Sequence, residues 1–239
     1  MRCVPRQYIG SFTVLIYIND LPNSLVDAVP RMFSDDTNLT LSAKTLTELK
    51  LAFTPELNNL SCWLKANRLS LNVAKTKLMI IGSRQRLSVQ CDDLEIWIDD
   101  QMIKRVDHTK SLSLTIDDHL SWCKHVERSF KKKVSLAIGA LKRVLPFISK
   151  ETTIQIYNAL ILRHFEYCSP VWDSLSGYLN EKLKTLQNRA VRITTKSPFD
   201  TSLDHLLSTL DWERLFLRRK KQKALMMFKS MNGLAPEYL

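Results

Sequence analysis

Apolar residues fall into two regimes along the chain. Up to about residue 118 they come as short runs and alternations between turn-forming residues; after Trp122 they recur every three or four positions. The run Phe12–Ile18 and the segment 31–41 predict strands, the second a hairpin turning at Ser34, Asp35 and Asp36. Leu46, Leu49, Phe53, Leu57, Leu60 and Leu64 predict a helix over 45–67. Pro55 interrupts that stripe and predicts a break or kink near Thr54, because an interior proline costs about 3 kcal/mol. Leu78–Ile81 predicts a strand ended by Gly82. Leu94, Ile96 and Ile98 alternate before the turn residues Asp99-Asp100-Gln101, predicting a hairpin with Met102-Ile103, and Ser111–Ile116 predicts one further strand.

The second regime predicts helices. Val126, Phe130, Val134, Ile138, Leu141 and Leu145 line one face, stopped by Pro146. A second helix starts after the cap residue Ser149 and runs to about Tyr167. Leu179, Leu183, Leu186, Ala190 and Ile193 mark a third; a fourth spans about Trp212 to Met231 and ends at Asn232-Gly233. Such stripes are packing faces of a bundle. The fold class is therefore α+β, with residues 1–120 as one domain and 121–239 as an all-helical second one; no repeat or low-complexity segment occurs.

Charge sharpens the division. Residues 1–120 carry 14 Lys+Arg and 14 Asp+Glu; residues 121–239 carry 21 and 10, so the whole excess of +11 sits in the helical half. Two clusters supply much of it, Lys131-Lys132-Lys133 and Arg218-Arg219-Lys220-Lys221-Gln222-Lys223. Both suit a phosphate backbone; solvated helix faces and, for 218–223, a nuclear-localisation patch fit equally. Hydrophobic content of 45% and charged content of 25% fit a globular chain. Five glycines and no G-x-G-x-x-G or Walker pattern argue against phosphate-cradling loops, and no small-molecule cofactor is expected. Cys3, Cys62, Cys91, Cys123 and Cys168 are odd in number and lack C-x-x-C spacing, so they predict free thiols in a reducing, intracellular compartment, nucleus or cytoplasm. His125 and His164, near Cys123 and Cys168, read as core or helix-face residues. Arg2 and Arg6 precede an apolar run too short to span a membrane and not followed by a small-residue cleavage site, so neither signal peptide nor membrane span is expected.

The candidate chemistry starts at Phe33-Ser34-Asp35-Asp36. Two adjacent acids at a hairpin tip repel unless a divalent cation or water neutralises them. Asp92-Asp93, Asp99-Asp100 and Asp117-Asp118 are also doublets, and these read as solvated turns. The setting of the first doublet is distinctive. Leu15-Ile16-Tyr17-Ile18-Asn19-Asp20-Leu21-Pro22 stands upstream. Trp63-Leu64-Lys65-Ala66-Asn67-Arg68-Leu69-Ser70-Leu71-Asn72 and Lys75-Thr76-Lys77 stand downstream, then Lys110-Ser111-Leu112, Ile116-Asp117, Leu120-Ser121-Trp122 and His125. In this order they resemble reverse transcriptases of non-LTR (LINE, jockey-like) retrotransposons. Ile156-Tyr157-Asn158-Ala159-Leu160 and Tyr167-Cys168-Ser169-Pro170-Val171-Trp172 resemble the region that follows the polymerase core there.

The resemblance implies a partial polymerase palm with primer-grip-like strands, then a thumb-like helical region. It implies that Asp35 and Asp36 are catalytic magnesium ligands, with Ser34 in place of the usual Ala. Lys75, matching an L-N-x-x-K-T segment, faces the triphosphate. RNA template and DNA primer are the implied partners, with Lys131, Lys132, Lys133, Arg218, Arg219, Lys220, Lys221 and Lys223 as backbone contacts. Departures are also visible: Tyr8-Ile9-Gly10-Ser11 stands for a Gln-Gly-Ser segment, Ser113 for the Gly of a Y-L-G turn, and the family's other metal-binding Asp lies on a strand upstream of Met1. Asp20 and Asp27 do not replace it. Two-ion phosphoryl transfer needs carboxylates from more than one segment. The expectation is therefore an RNA-directed DNA polymerase remnant, N-terminally truncated and inactive alone, with a non-enzymatic nucleic-acid-binding protein or a relic without selected function as alternatives.

Overall fold

Several turns of this glycine-poor chain, among them those at Asp99-Asp100 and Leu112-Ser113, are made by residues in left-handed backbone that glycine usually fills. The computed structural model describes residues 16–33, 36–90 and 95–236, which are mixed helix and strand. They form two compact units that meet between Asp107 and His108, so the strands after His108 group with the helices rather than with the first segment.

In the first unit, β1 (Val29–Phe33) pairs antiparallel with β2 (Asp36–Thr40), in register from Val29↔Thr40 to Phe33↔Asp36. This is the expected hairpin. Period-two alternation turns Met32 and Leu39 onto α1 (Leu46–Ala66) and leaves Val29, Phe33 and Asp36 exposed. The Thr45 hydroxyl caps α1 by accepting from the Glu48 amide at 3.2 Å. The break expected at Pro55 does not occur; the helix runs unbroken through it. Proline lacks the N–H that would bond the Leu51 carbonyl, and Leu51 lies on the exposed side, open to solvent. Leu57 and Leu60 pack inward on the other side. The buried Glu56 carboxylate accepts from the Val26 and Asp27 amides at 3.0–3.1 Å, tying the approach to the hairpin onto α1.

The strand expected over 12–18 is not seen where it can be tested. Ile16 and Tyr17 form a helical turn with exposed side chains and lead into the 3-10 turn Leu21–Ser24; residues 12–15 lie outside the described ones. The 78–81 strand shortens to β3 (Lys77–Leu78), and α2 (Arg84–Gln90) follows. β4 (Trp97–Ile98) and β5 (Gln101–Met102) form the expected hairpin. Its two central residues, Asp99 and Asp100, have φ of +47° and +60°, as a two-residue primed turn requires. β6 (Lys104–Arg105) runs parallel to β3.

The second unit opens with a hairpin, β7 (His108–Ser111) and β8 (Leu114–Asp117), where a single strand was expected. Its turn residues Leu112 and Ser113 have φ of +43° and +69°; the sequence shows no glycine there to signal the turn. Asp117 is buried rather than solvated. It accepts from the amides of His119 (3.2 Å) and Ser121 (2.8 Å) and from the Ser121 hydroxyl (3.1 Å), closing the turn into the helices.

A π-helical segment, His125–Phe130, continues into α3 (Lys131–Val144). Val126, Phe130, Val134, Ile138 and Leu141 are buried, as their spacing predicts. Ser149 caps α4 (Lys150–Tyr157), accepting from the Thr152 amide at 3.2 Å. A second π segment, Asn158–Leu162, leads to α5 (Arg163–Glu166), then α6 (Ser169–Trp172) and α7 (Gly177–Thr195). Then come α8 (Leu203–Thr209), which the periodicity missed, and α9 (Leu215–Met231), which ends at Gly233 with φ +64°. One apolar core gathers Trp122, Val134, Ile138, Tyr157, Ile161, Phe165, Trp172, Leu179 and Leu183. Tyr157 stacks on Trp212 with ring centroids 4.0 Å apart, and burial pushes its hydroxyl pKa up. Among the described residues no helix is long and apolar enough to cross a membrane.

Candidate functional site

Of the acidic doublet, the structure describes Asp36. Asp36 opens β2 opposite Phe33, on the exposed face shared with Arg31 and Asn38. Ser34 and Asp35 lie outside the described residues. Asp20 immediately precedes the 3-10 turn, and its backbone carbonyl accepts from the Asn23 amide at 2.9 Å; its side chain makes no cap bond. Among the described residues no group of three His, Cys, Asp or Glu side chains could hold a metal ion. The Asp35-Asp36 doublet of the sequence has the hard oxygens that magnesium favours, but it supplies them from one segment, which does not fit a two-ion site.

Lys75 lies in the turn after α1, exposed, its amide bonded to the Asn72 carbonyl (3.0 Å) and to the Asn72 side chain (3.2 Å). Asn72 thus shapes the turn that presents Lys75, its carbonyl and its side chain both accepting from the one amide.

The two basic clusters, alike in sequence, differ in surroundings. Lys131, Lys132 and Lys133 are exposed at the start of α3, and none is ion-paired among the described residues. From Arg128 to Lys150 the chain has no acid and seven Lys+Arg. Lys142 and Arg143 follow Lys131 and Lys132 by eleven residues, three helical turns, and therefore lie on the same side of α3. Both are exposed, and Gly139 between them leaves open space where a side chain would stand.

The 218–223 cluster is bound up in its own unit. Arg218 pairs with Glu166 on α5, its Nε at 2.9 Å. Arg219 is buried; its Nε donates to Asp173 at 2.5 Å, its Nη2 donates to Asn180 at 2.6 Å, and its guanidinium lies over Trp172. Lys223 reaches the other Asp173 oxygen at 2.6 Å, and Lys221 pairs with Glu213. Of the five cations only Lys220 has no ion pair among the described residues. Asp173, Glu166 and Glu213 were not singled out by the sequence: 46 to 52 residues separate the first two from their arginines, and no local spacing encodes such pairs.

His125 is a core residue, as expected. Its Nδ1 accepts from the Thr115 amide at 3.2 Å, and Trp122, Phe130 and Trp172 surround it at 6.0–6.4 Å. Burial first, then the charge of Lys133, lowers its pKa to about 4. Burial, Arg163 and Lys133 likewise lower that of His164. Cys62, Cys123 and Cys168 are free thiols; burial and the neighbouring Glu127 push the Cys123 pKa up, which makes it a poor nucleophile. Set against protein-family models, curated proteins and solved structures, the chain matches none.

Proposed function

We propose that this chain derives from the reverse transcriptase of a non-LTR retrotransposon and does not polymerise by itself. In this reading the first unit corresponds to the later palm motifs, and the helices of the second to the thumb-like region that grips template and primer. The observation that carries the reading is the antiparallel β1–β2 pairing, in register up to Phe33↔Asp36, the first and last residues of the Phe33-Ser34-Asp35-Asp36 motif. A second observation supports it: Ser113, standing where the family has glycine, has φ of +69°, the conformation that glycine adopts without penalty. Lys75, displayed on the turn that Asn72 shapes, is the cation of the triphosphate side. Magnesium would neutralise the oxygens at the phosphoryl centre of the complete family enzyme; with carboxylates from one segment, no catalytic step is assigned to this chain.

The test is manganese titration followed by amide NMR, beside primer extension on an RNA template. Broadening at Phe33 and Asp36 that disappears in an Asp35→Asn, Asp36→Asn variant is expected, with no extension above background. Absence of broadening at the tip, or extension that survives Asp35→Asn, would contradict the assignment. Ser113→Gly is expected to raise stability by about 1 kcal/mol, as relief of one left-handed non-glycine residue should; an unchanged denaturation midpoint would remove the support drawn from that turn.

A second reading is favoured by α3: nucleic-acid binding without polymerisation. Its exposed, acid-free basic side needs no metal site and no palm to hold a phosphate backbone.

A further inference from the structure

The helix α9 changes character halfway along. Its first half is fixed in the second unit by buried Leu215 and Arg219 and by the pairs to Glu166, Asp173 and Glu213. From Ala224 to Pro236 no residue is buried. Leu225, Met227, Phe228, Met231 and Leu234 are exposed by 55, 65, 56, 75 and 66%. On the helix Ala224, Met227 and Met231 recur at steps of three and four, with Leu225 and Phe228 beside them, and Leu234 follows the turn at Gly233.

Charge narrows what can cover this stripe. Lys229 is the single charged residue between Ala224 and Pro236. An acidic groove or an anionic bilayer takes an amphipathic helix by its cations. Here the neighbouring Arg218, Arg219, Lys221 and Lys223 are already held by acids of the same unit. A nearly uncharged apolar seam fits another of its own kind, where one lysine per chain lies at the edge and adaptable methionines fill the gap.

We propose that residues 224–234 pair with the same segment of a second copy, forming a two-fold dimer independent of the reverse-transcriptase reading. Five large apolar residues offer about 600 Å² per chain, hence about 1,200 Å² across a self-complementary contact, at the lower edge of stable interfaces.

Sedimentation velocity of the full chain from 1 to 100 µM tests it. The expected result is a monomer–dimer equilibrium whose dissociation constant rises at least a hundredfold in Met227→Glu with Met231→Glu. A milder pair, Leu225→Gln with Phe228→Gln, should weaken the dimer in the same direction with an unchanged circular dichroism melt. A wild-type chain that stays monomeric at 100 µM would overturn the proposal. So would a dimer that both variants leave intact, or association of undefined mass. Co-sedimentation of the monomer with phosphatidylserine vesicles, lost in Met227→Glu with Met231→Glu, would instead assign the stripe to a lipid surface.

Discussion

Lys131–Lys133 and Arg218–Lys223 look alike in the sequence, each a short basic run on an amphipathic helix with an apolar face to bury. What differs is the supply of acids within reach. Around α3 the sequence has none for 23 residues, and Lys131, Lys132 and Lys133 are exposed and without ion pairs among the described residues. Around α9 the folds of α5, α6 and α7 bring Glu166 and Asp173 against the helix, and Glu213 precedes it. The same residue types thus become a surface charge in one place and a structural clamp in the other. A run of cations predicts neither until the location of the acids is known.

The largest expected effect is on stability, at the clamp. Arg219→Ala leaves the Asp173 carboxylate half-buried with only Lys223 to answer it, and opens a gap beside Trp172. A loss of about 3 kcal/mol in urea denaturation is expected, as for removal of one partner of a buried pair. A loss below about 0.5 kcal/mol, the surface-substitution range, would break the comparison. The rim pairs come next: Lys221→Gln with Lys223→Gln should cost about 1 kcal/mol together. Lys131→Gln with Lys132→Gln, by contrast, should leave the same denaturation curve within error.

A smaller effect links α3 to the core. His125 has a folded pKa of about 4, below the ordinary value near 6.5, so the unfolded chain takes the proton first. Stability is therefore full above about pH 6.5 and falls as pH drops towards about 4. His164, lowered in the same direction, adds to the slope. His125→Gln should flatten it, seen as a smaller fall in melting temperature between pH 7 and 5. Lys133→Gln removes a charge that opposes both imidazolium ions, and should shift the His125 titration upward in NMR; no shift would mean that Lys133 points wholly to solvent.

The sequence showed a great deal of the second unit and less of the first, for a physical reason. Long stripes such as Val126 to Leu141 bury one face and have no competing solution, so helix and core followed directly. Short strands carry little period-two signal, and the turn between β7 and β8 is made by Leu112 and Ser113 in left-handed backbone, which no glycine announces. Hence the β7–β8 hairpin read as one strand. Pro55 misled in the opposite sense: its cost is real, but tertiary packing of Leu57, Leu60 and Glu56 outweighs it. For the candidate site, Asp36 and Lys75 were found by motif and occupy a strand end and a turn, while Asp35 lies outside the described residues. The acids that neutralise 218–223 were not legible, because they come from distant elements.

The most direct test of the contrast is fluorescence anisotropy of a labelled RNA–DNA hybrid titrated with the full chain at 50 to 200 mM salt. Wild type is expected to bind with strongly salt-dependent affinity. Lys131→Gln, Lys132→Gln and Lys133→Gln together should lower the log–log salt slope by about 2 to 3 and the affinity at least tenfold, as loss of that many phosphate contacts requires. Lys221→Gln with Lys223→Gln should stay within twofold of wild type. Equal losses from both sets of variants, or a larger loss from the α9 pair, would contradict the account.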